Sequence, residues 1–179
     1  MYRKTGFLVL AFLAMSGLLM AGGNPKSLSG ETQIGFLQTA IPPDLRCIGG
    51  EPTNLPFPYL PCSEGTRRVL ARSEEQIWFP AYLSDSIAAL LDGELKFVVN
   101  CNMNASYRGP CWGTFEWTVP GVGVWEGTWT TPVMDLLTYE SKLSMVGQGV
   151  GSEIDGKQLK VDGGSAPWDY YITADVRIK

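Results

Sequence analysis

The sequence predicts an all-β fold, an antiparallel β-barrel of about eight strands, with a β-sandwich as the alternative. Three observations point there. Short runs that alternate apolar and polar residues recur along the chain, with Gly, Pro, Asn and Asp turn signals between them. No helical periodicity of any length competes with them. The stretch CWGTFEWTVPGVGVWEGTWTT, Cys111 to Thr131, holds four of the six tryptophans in two runs divided by Pro120-Gly121-Val122-Gly123. Aromatic and threonine-rich runs around a Pro/Gly turn read as a β-hairpin.

That hairpin has two faces. Cys111, Gly113, Phe115, Trp117 and Val119 share one side of the first strand, and Thr114, Glu116 and Thr118 take the other. On the second strand Trp125, Gly127 and Trp129 alternate with Val124, Glu126, Thr128 and Thr130. A turn centred on Gly121 sets Trp117 opposite Trp125 and Glu116 opposite Glu126. A turn centred on Val122 pairs Glu116 with Thr128 instead, and period-two alternation does not choose between them.

The chain opens Met1-Tyr-Arg-Lys-Thr and then runs apolar from Gly6 through Met20 to Ala21-Gly22-Gly23. A basic start, a short apolar run and small residues describe a signal peptide over residues 1–23, cleaved between Ala21 and Gly23. The run falls short of the roughly 20 apolar residues that span a bilayer, an uncleaved anchor being the alternative. No cysteine follows it, which argues against a lipid anchor. The expected compartment is therefore extracellular or periplasmic, with no stable membrane insertion after cleavage. Roughly 155 residues remain, enough for one domain with one core. Without Arg3 and Lys4, 12 basic side chains stand against 18 acidic ones, a net charge of −6. An acidic chain with no basic run lacks the footprint for nucleic acid or for an anionic membrane surface.

Residues 24–65 are rich in Pro and Gly and read as a loose arm to about Ile41, followed by a loop, ahead of a barrel domain over 66–179. Cys47, Cys62, Cys101 and Cys111 form an even set in a chain expected to be exported, so two disulfides are expected. Three connectivities exist, and the sequence-local one, Cys47–Cys62 with Cys101–Cys111, is preferred. Their spacing is unlike structural zinc sites, and no metal is expected.

In the barrel domain, Val69 and Ala71 alternate with Arg68, Leu70 and Arg72, and Ile77, Phe79 and Ala81 share a face around Pro80, a bulge or edge signal. Ser84-Asp85-Ser86 has the composition of a helix cap ahead of Ile87–Leu91, although the Asp92-Gly93 dipeptide that follows also suits a hairpin. Leu95, Phe97, Val99 and Cys101 form an apolar stripe. Residues 102–110 read as a polar loop holding the sequon Asn104-Ala105-Ser106. Leu137, Tyr139, Leu143 and Met145 are strand-like. Trp168, Tyr170, Ile172, Ala174, Val176 and Ile178 share one face of the last strand.

The chain has no histidine, which removes Ser-His-Asp and Cys-His catalysis. Glu116 and Glu126 are the candidate acid/base pair, because two carboxylates facing one lumen raise one pKa. A solvent-facing polar side is the simpler account of them. Trp112, Trp117, Trp125 and Trp129 are the candidate ligand contacts, with core filling as the competing role. Gly147 to Gly151 reads GxGxG but lacks the helix and offset of a dinucleotide loop, and suits a bulged or curved strand better. Glu153 and Asp155 do not match a calcium loop.

The run WGTFEW…GVWEGTWT, followed by GQGVGSEIDGKQLK, is similar to a set of uncharacterised exported bacterial β-rich proteins with W-x-G-T-W and G-x-x-D-G-x-Q-x-K elements. The barrel pattern also faintly resembles the allene oxide cyclase and dirigent barrels. Neither resemblance carries an activity or a site residue onto this chain. Two functional expectations follow. One is a non-enzymatic exported module, without cofactor, that holds a small apolar molecule or a glycan in its lumen or on aromatic surface, or that is purely structural. The other is a cofactor-free isomerase, cyclase or lyase using a lumenal glutamate.

Overall fold

The computed structural model describes residues 27–36, 44–53, 62–151 and 153–179. The expected signal segment and much of the Pro-rich stretch lie outside the described residues. Among the described residues, nine strands and one short helix follow in the order β1 (Leu28–Phe36), β2 (Asp44–Ile48), β3 (Arg68–Leu83), α1 (Asp85–Leu91), β4 (Glu94–Asn104), β5 (Arg108–Val119), β6 (Gly123–Asp135), β7 (Ser141–Val150), β8 (Gln158–Ser165) and β9 (Tyr171–Ile178). The sheet is antiparallel throughout, in the order β1-β9-β8-β7-β6-β5-β4-β3-β2, and a β1–β3 pairing closes it. The result is an eight-stranded barrel with β2 added outside the ring.

The 16-residue β3 makes this closure possible. Its first residues, Arg68 to Arg72, pair with β2, and Trp78 to Leu83 pair with β1. A bulge between Ser73 and Gln76 in the β3–β4 ladder shifts the alternation. Trp78 therefore points inward, while Phe79 and Ala81 stay on the outer side.

The barrel is larger than the expected 66–179, and the loose arm is corrected: β1 is a wall strand, paired with β9 from Leu28 to Gly35. Its inward positions include Thr32 and Ile34, with Gly30 between the strand and α1, so it carries no apolar stripe to read. Pairing supplies what side-chain hydrophobicity does not, and the Thr32 hydroxyl donates to the Tyr82 carbonyl at 2.9 Å. Two other expectations are corrected. Leu137 and Tyr139 lie in a turn, because the Asp135 carboxylate accepts from the Leu137 and Thr138 amides and ends β6. Trp168 and Tyr170 precede β9 and are exposed. Residues 102–110 mostly extend β4 and β5, leaving a turn at 105–107.

An eight-stranded barrel is just wide enough for side chains to fill, and here aromatic rings sit over glycines. Phe115, Gly127 and Gly147 form one row across β5, β6 and β7. A Cβ on either glycine would fall within 2.8 Å of the Phe115 ring. Gly113 faces the Trp129 indole, whose Nε1–H donates to the Val98 carbonyl at 3.0 Å. Gly127 of W-x-G-T-W and Gly147, the first glycine of the GxGxG run, are thus seats for a ring.

Both ends are closed. At the lower end α1 lays Ile87 and Leu91 into the barrel mouth, and Ile154, from the β7–β8 turn, fits beside Gly123 and Gly149. Ser84 precedes the helix, and its backbone and hydroxyl exchange hydrogen bonds with Glu31 of β1. At the upper end Cys47–Cys62 staples the β2–β3 connection, and the buried Tyr107 hydroxyl accepts from the Cys62 amide at 3.0 Å. The second disulfide, Cys101–Cys111, joins directly opposed positions of β4 and β5. Both bridges have the sequence-local pairing, which suits an extracellular or otherwise oxidising compartment. No helix among the described residues is long and apolar enough to cross a membrane.

Candidate functional site

The hairpin forms in the register that opposes Glu116 to Glu126 and Trp117 to Trp125. Trp117, Trp125 and Trp129 are buried inside the barrel. Trp125 donates its indole N–H to the Leu90 carbonyl at 2.9 Å, tying the β6 wall to α1. The Trp117 Nε1–H has no partner among the described residues. These three rings fill the core, as large aromatics most simply do. Trp112 alone of the four predicted contacts is on the outer surface, 45% exposed.

The lumenal glutamate is corrected by the same parity. Since the aromatic face points in, Glu116 and Glu126 must point out, and both are exposed. They border an open groove of about 450 Å³ with Glu74, Glu75 and Lys96. Lys96 bonds Glu75 at 3.2 Å and Glu94 at 3.6 Å. The hydrogen bond and charge of Glu75, with Glu94 adding, hold the Lys96 ammonium above its ordinary pKa.

A different aromatic set is displayed at the upper rim. Trp168 is 65% exposed and Tyr170 69%, with Tyr171 also exposed beside them in the chain. Tyr170 packs against Tyr139 of the β6–β7 turn, ring centroids 6.0 Å apart. Burial, then the neighbouring Tyr170, pushes the Tyr139 phenol above its ordinary pKa. Tyr139 and Trp168 both have left-handed backbones, φ 63° and 71°. That conformation costs non-glycine residues on the order of 1–3 kcal/mol and persists only where surroundings enforce it. Here they do: the Trp168 amide donates to the Thr138 carbonyl, and the Asp169 carboxylate accepts from the Ala166 amide. On the neighbouring turn, the Ser165 hydroxyl donates to the Tyr139 carbonyl and shares a 2.9 Å bond with Ser141. On the far side of β9, the rings of Tyr171 and Phe79 close over Gly35.

Directly below these turns, the outer face of β7 and β8 holds a groove of about 550 Å³, lined by Pro132, Lys142, Ser144, Asp162, Gly164 and Ala166, among others. A register shift between Thr130 and Met134 sets Pro132 at the groove's side. Gly164, opposite Lys142, leaves the middle without a side chain. Asp162 bonds the Lys160 ammonium at 2.8 Å and accepts from the Ser144 hydroxyl at 2.9 Å. Lys160 chiefly, helped by Ser144 and Arg177, holds this carboxyl below its ordinary pKa. Lys142 makes no ion pair among the described residues.

Comparison with family models, with curated proteins and with solved structures returned no match. The site therefore rests on its own geometry. Among the described residues no group of three or more His, Cys, Asp or Glu is placed to hold a metal. The displayed rim was missed because Trp168 and Tyr170 continue the β9 alternation in the sequence. The one signal against that reading was Pro167 immediately before Trp168, which cannot supply a ladder donor.

Proposed function

We propose that this protein is an exported, non-enzymatic binding module that holds a glycan at its upper rim. The observation that carries the reading is Trp168: a mostly exposed tryptophan held at positive φ by a pinned turn, beside Tyr170 and Tyr139. Sugar rings present apolar C–H faces that stack on such aromatic platforms, while their hydroxyls need polar partners close by. The groove below supplies Ser144, Asp162 and Lys142. Two disulfides and the N-terminal pattern support export.

A small apolar ligand in the lumen is the weaker reading, because the inward rows are occupied by Trp78, Phe97, Phe115, Trp117, Trp125 and Trp129. The test is glycan-array screening of the mature protein, followed by titration of any hit against Trp168→Ala, Tyr170→Ala and Trp112→Ala. Loss of a central aromatic should weaken binding by about tenfold or more. Trp112→Ala should leave it unchanged. Equal binding by Trp168→Ala and the parent protein would sink the rim site.

A further inference from the structure

Resting on the glycan reading above, we infer that the groove selects sugars that carry a carboxylate, uronic acids, with Lys142 as the cation that receives it. The charges around the groove decide this. Asp162 is committed to Lys160 and to the Ser144 hydroxyl. On the adjoining turn, Glu140 is taken by Arg108 at 3.2 Å, and Asp135 lies 4.0 Å from the same guanidinium. Glu140 and Asp135 thus share Arg108, the Asp169 carboxylate takes only the Ala166 amide, and Lys160 is held by Asp162. Lys142 lines the groove, is exposed, and has no ion partner among the described residues.

Its position keeps it available. Lys142 is exposed and stands opposite Gly164 in the β7–β8 ladder, so no side chain occupies that cross-strand position. A neutral sugar would gain little from such a group, whereas a carboxylate would gain an ion pair. The chain as a whole is acidic, with 14 basic against 18 acidic side chains, so an anionic ligand gets no help from long-range attraction and must be recognised locally. The aromatic rim would hold the ring and Lys142 would read its acid group.

The experiment is calorimetric titration of the mature protein with oligogalacturonate and with its methyl ester, which keeps the ring and removes the charge. The acid should bind about fivefold more tightly than the ester in dilute buffer, and the ratio should shrink as salt is added. Lys142→Gln should bring the ratio to about one without weakening ester binding, and Lys157→Gln, at the lower end of the barrel, should leave it unchanged. Equal affinity for acid and ester, or a ratio that survives Lys142→Gln, overturns the inference while the glycan site stands. An equal drop in Lys157→Gln would make the preference a net-charge effect and likewise overturn the role of Lys142. No binding of either form, with no other glycan bound on the array, removes both the inference and the reading beneath it.

Discussion

Glu116 and Glu126 stand directly opposite each other across the β5–β6 hairpin, both on the solvent side of the wall. Like charges at such positions repel, typically by about 0.2–1 kcal/mol when exposed. Thr118 donates to Glu116 at 3.3 Å, and Lys96, next in the same row, is committed to Glu75 and Glu94. Glu126→Lys should therefore raise stability by about 0.5 kcal/mol, read as a higher urea midpoint with unchanged slope, and the gain should shrink in salt. A loss of stability would mean that the pair is held by something other than strand register.

Phe115 over Gly127 and Gly147 gives a sharper test of the core. At Gly127 a Cβ would meet the Val146 carbonyl oxygen and the Gly147 Cα, 2.1 and 2.6 Å away, which are backbone and cannot step aside. At Gly147 the nearest atom is the far end of the Phe115 ring, at 2.6 Å. Both alanine variants should destabilise, by about 1–3 kcal/mol. Adding Phe115→Leu should recover part of the Gly147→Ala loss and none of the Gly127→Ala loss. Equal recovery at the two sites would show that the ring is not what fills the Gly147 seat.

Most of the wall was legible in the sequence, since a period of two survives wherever one face of a strand is buried and the other wet. β4, β5, β6 and β9 show this plainly, and their apolar stripes are the inner rows. β1 was not legible, because Thr32 and its glycines carry no stripe and only its two neighbours make it a strand. The disulfide partners followed from proximity in the chain. The candidate site was legible only in kind. Aromatic residues were the chemistry singled out, yet hydrophobic runs favour the buried ones, and Trp168 is distinguished from Trp117 only by backbone conformation and exposure. Register could not separate Glu116–Glu126 from Glu116–Thr128, because moving the turn centre by one residue slips the pairing by two, which keeps every side chain on its face.

Tyr107 ties the upper end to the wall. Its hydroxyl is buried and accepts from the Cys62 amide at 3.0 Å. Tyr107→Phe leaves that donor without its partner, which costs about 1–3 kcal/mol. The expected sign is local: hydrogen exchange at Cys62 should accelerate in the variant, while amides in β6 and β7 away from it keep their relative protection. Uniform acceleration across the barrel would mean that the upper closure unfolds only with the rest.

Asp162 sets an acid dependence at the groove. Lys160, with Ser144 and Arg177, lowers its folded pKa below the ordinary 3.8. The folded state thus favours the ionised form more than the unfolded chain does. That contribution is complete above the unfolded pKa and is lost as pH falls through the lower folded value. Asp162→Asn should be less stable than the parent at pH 7 and equal to it once both folded and unfolded carboxyls are protonated. The two stability curves should converge below about pH 4. The gap should be modest and should narrow in salt, because both partners are partly exposed. Since the substitution removes a negative charge from the groove that Lys142 also lines, Asp162→Asn should also strengthen binding of an acidic sugar at neutral pH even as it weakens the fold. Curves that stay parallel from pH 7 to strongly acid solution would assign the loss to side-chain packing, and the carboxylate would have no part in it.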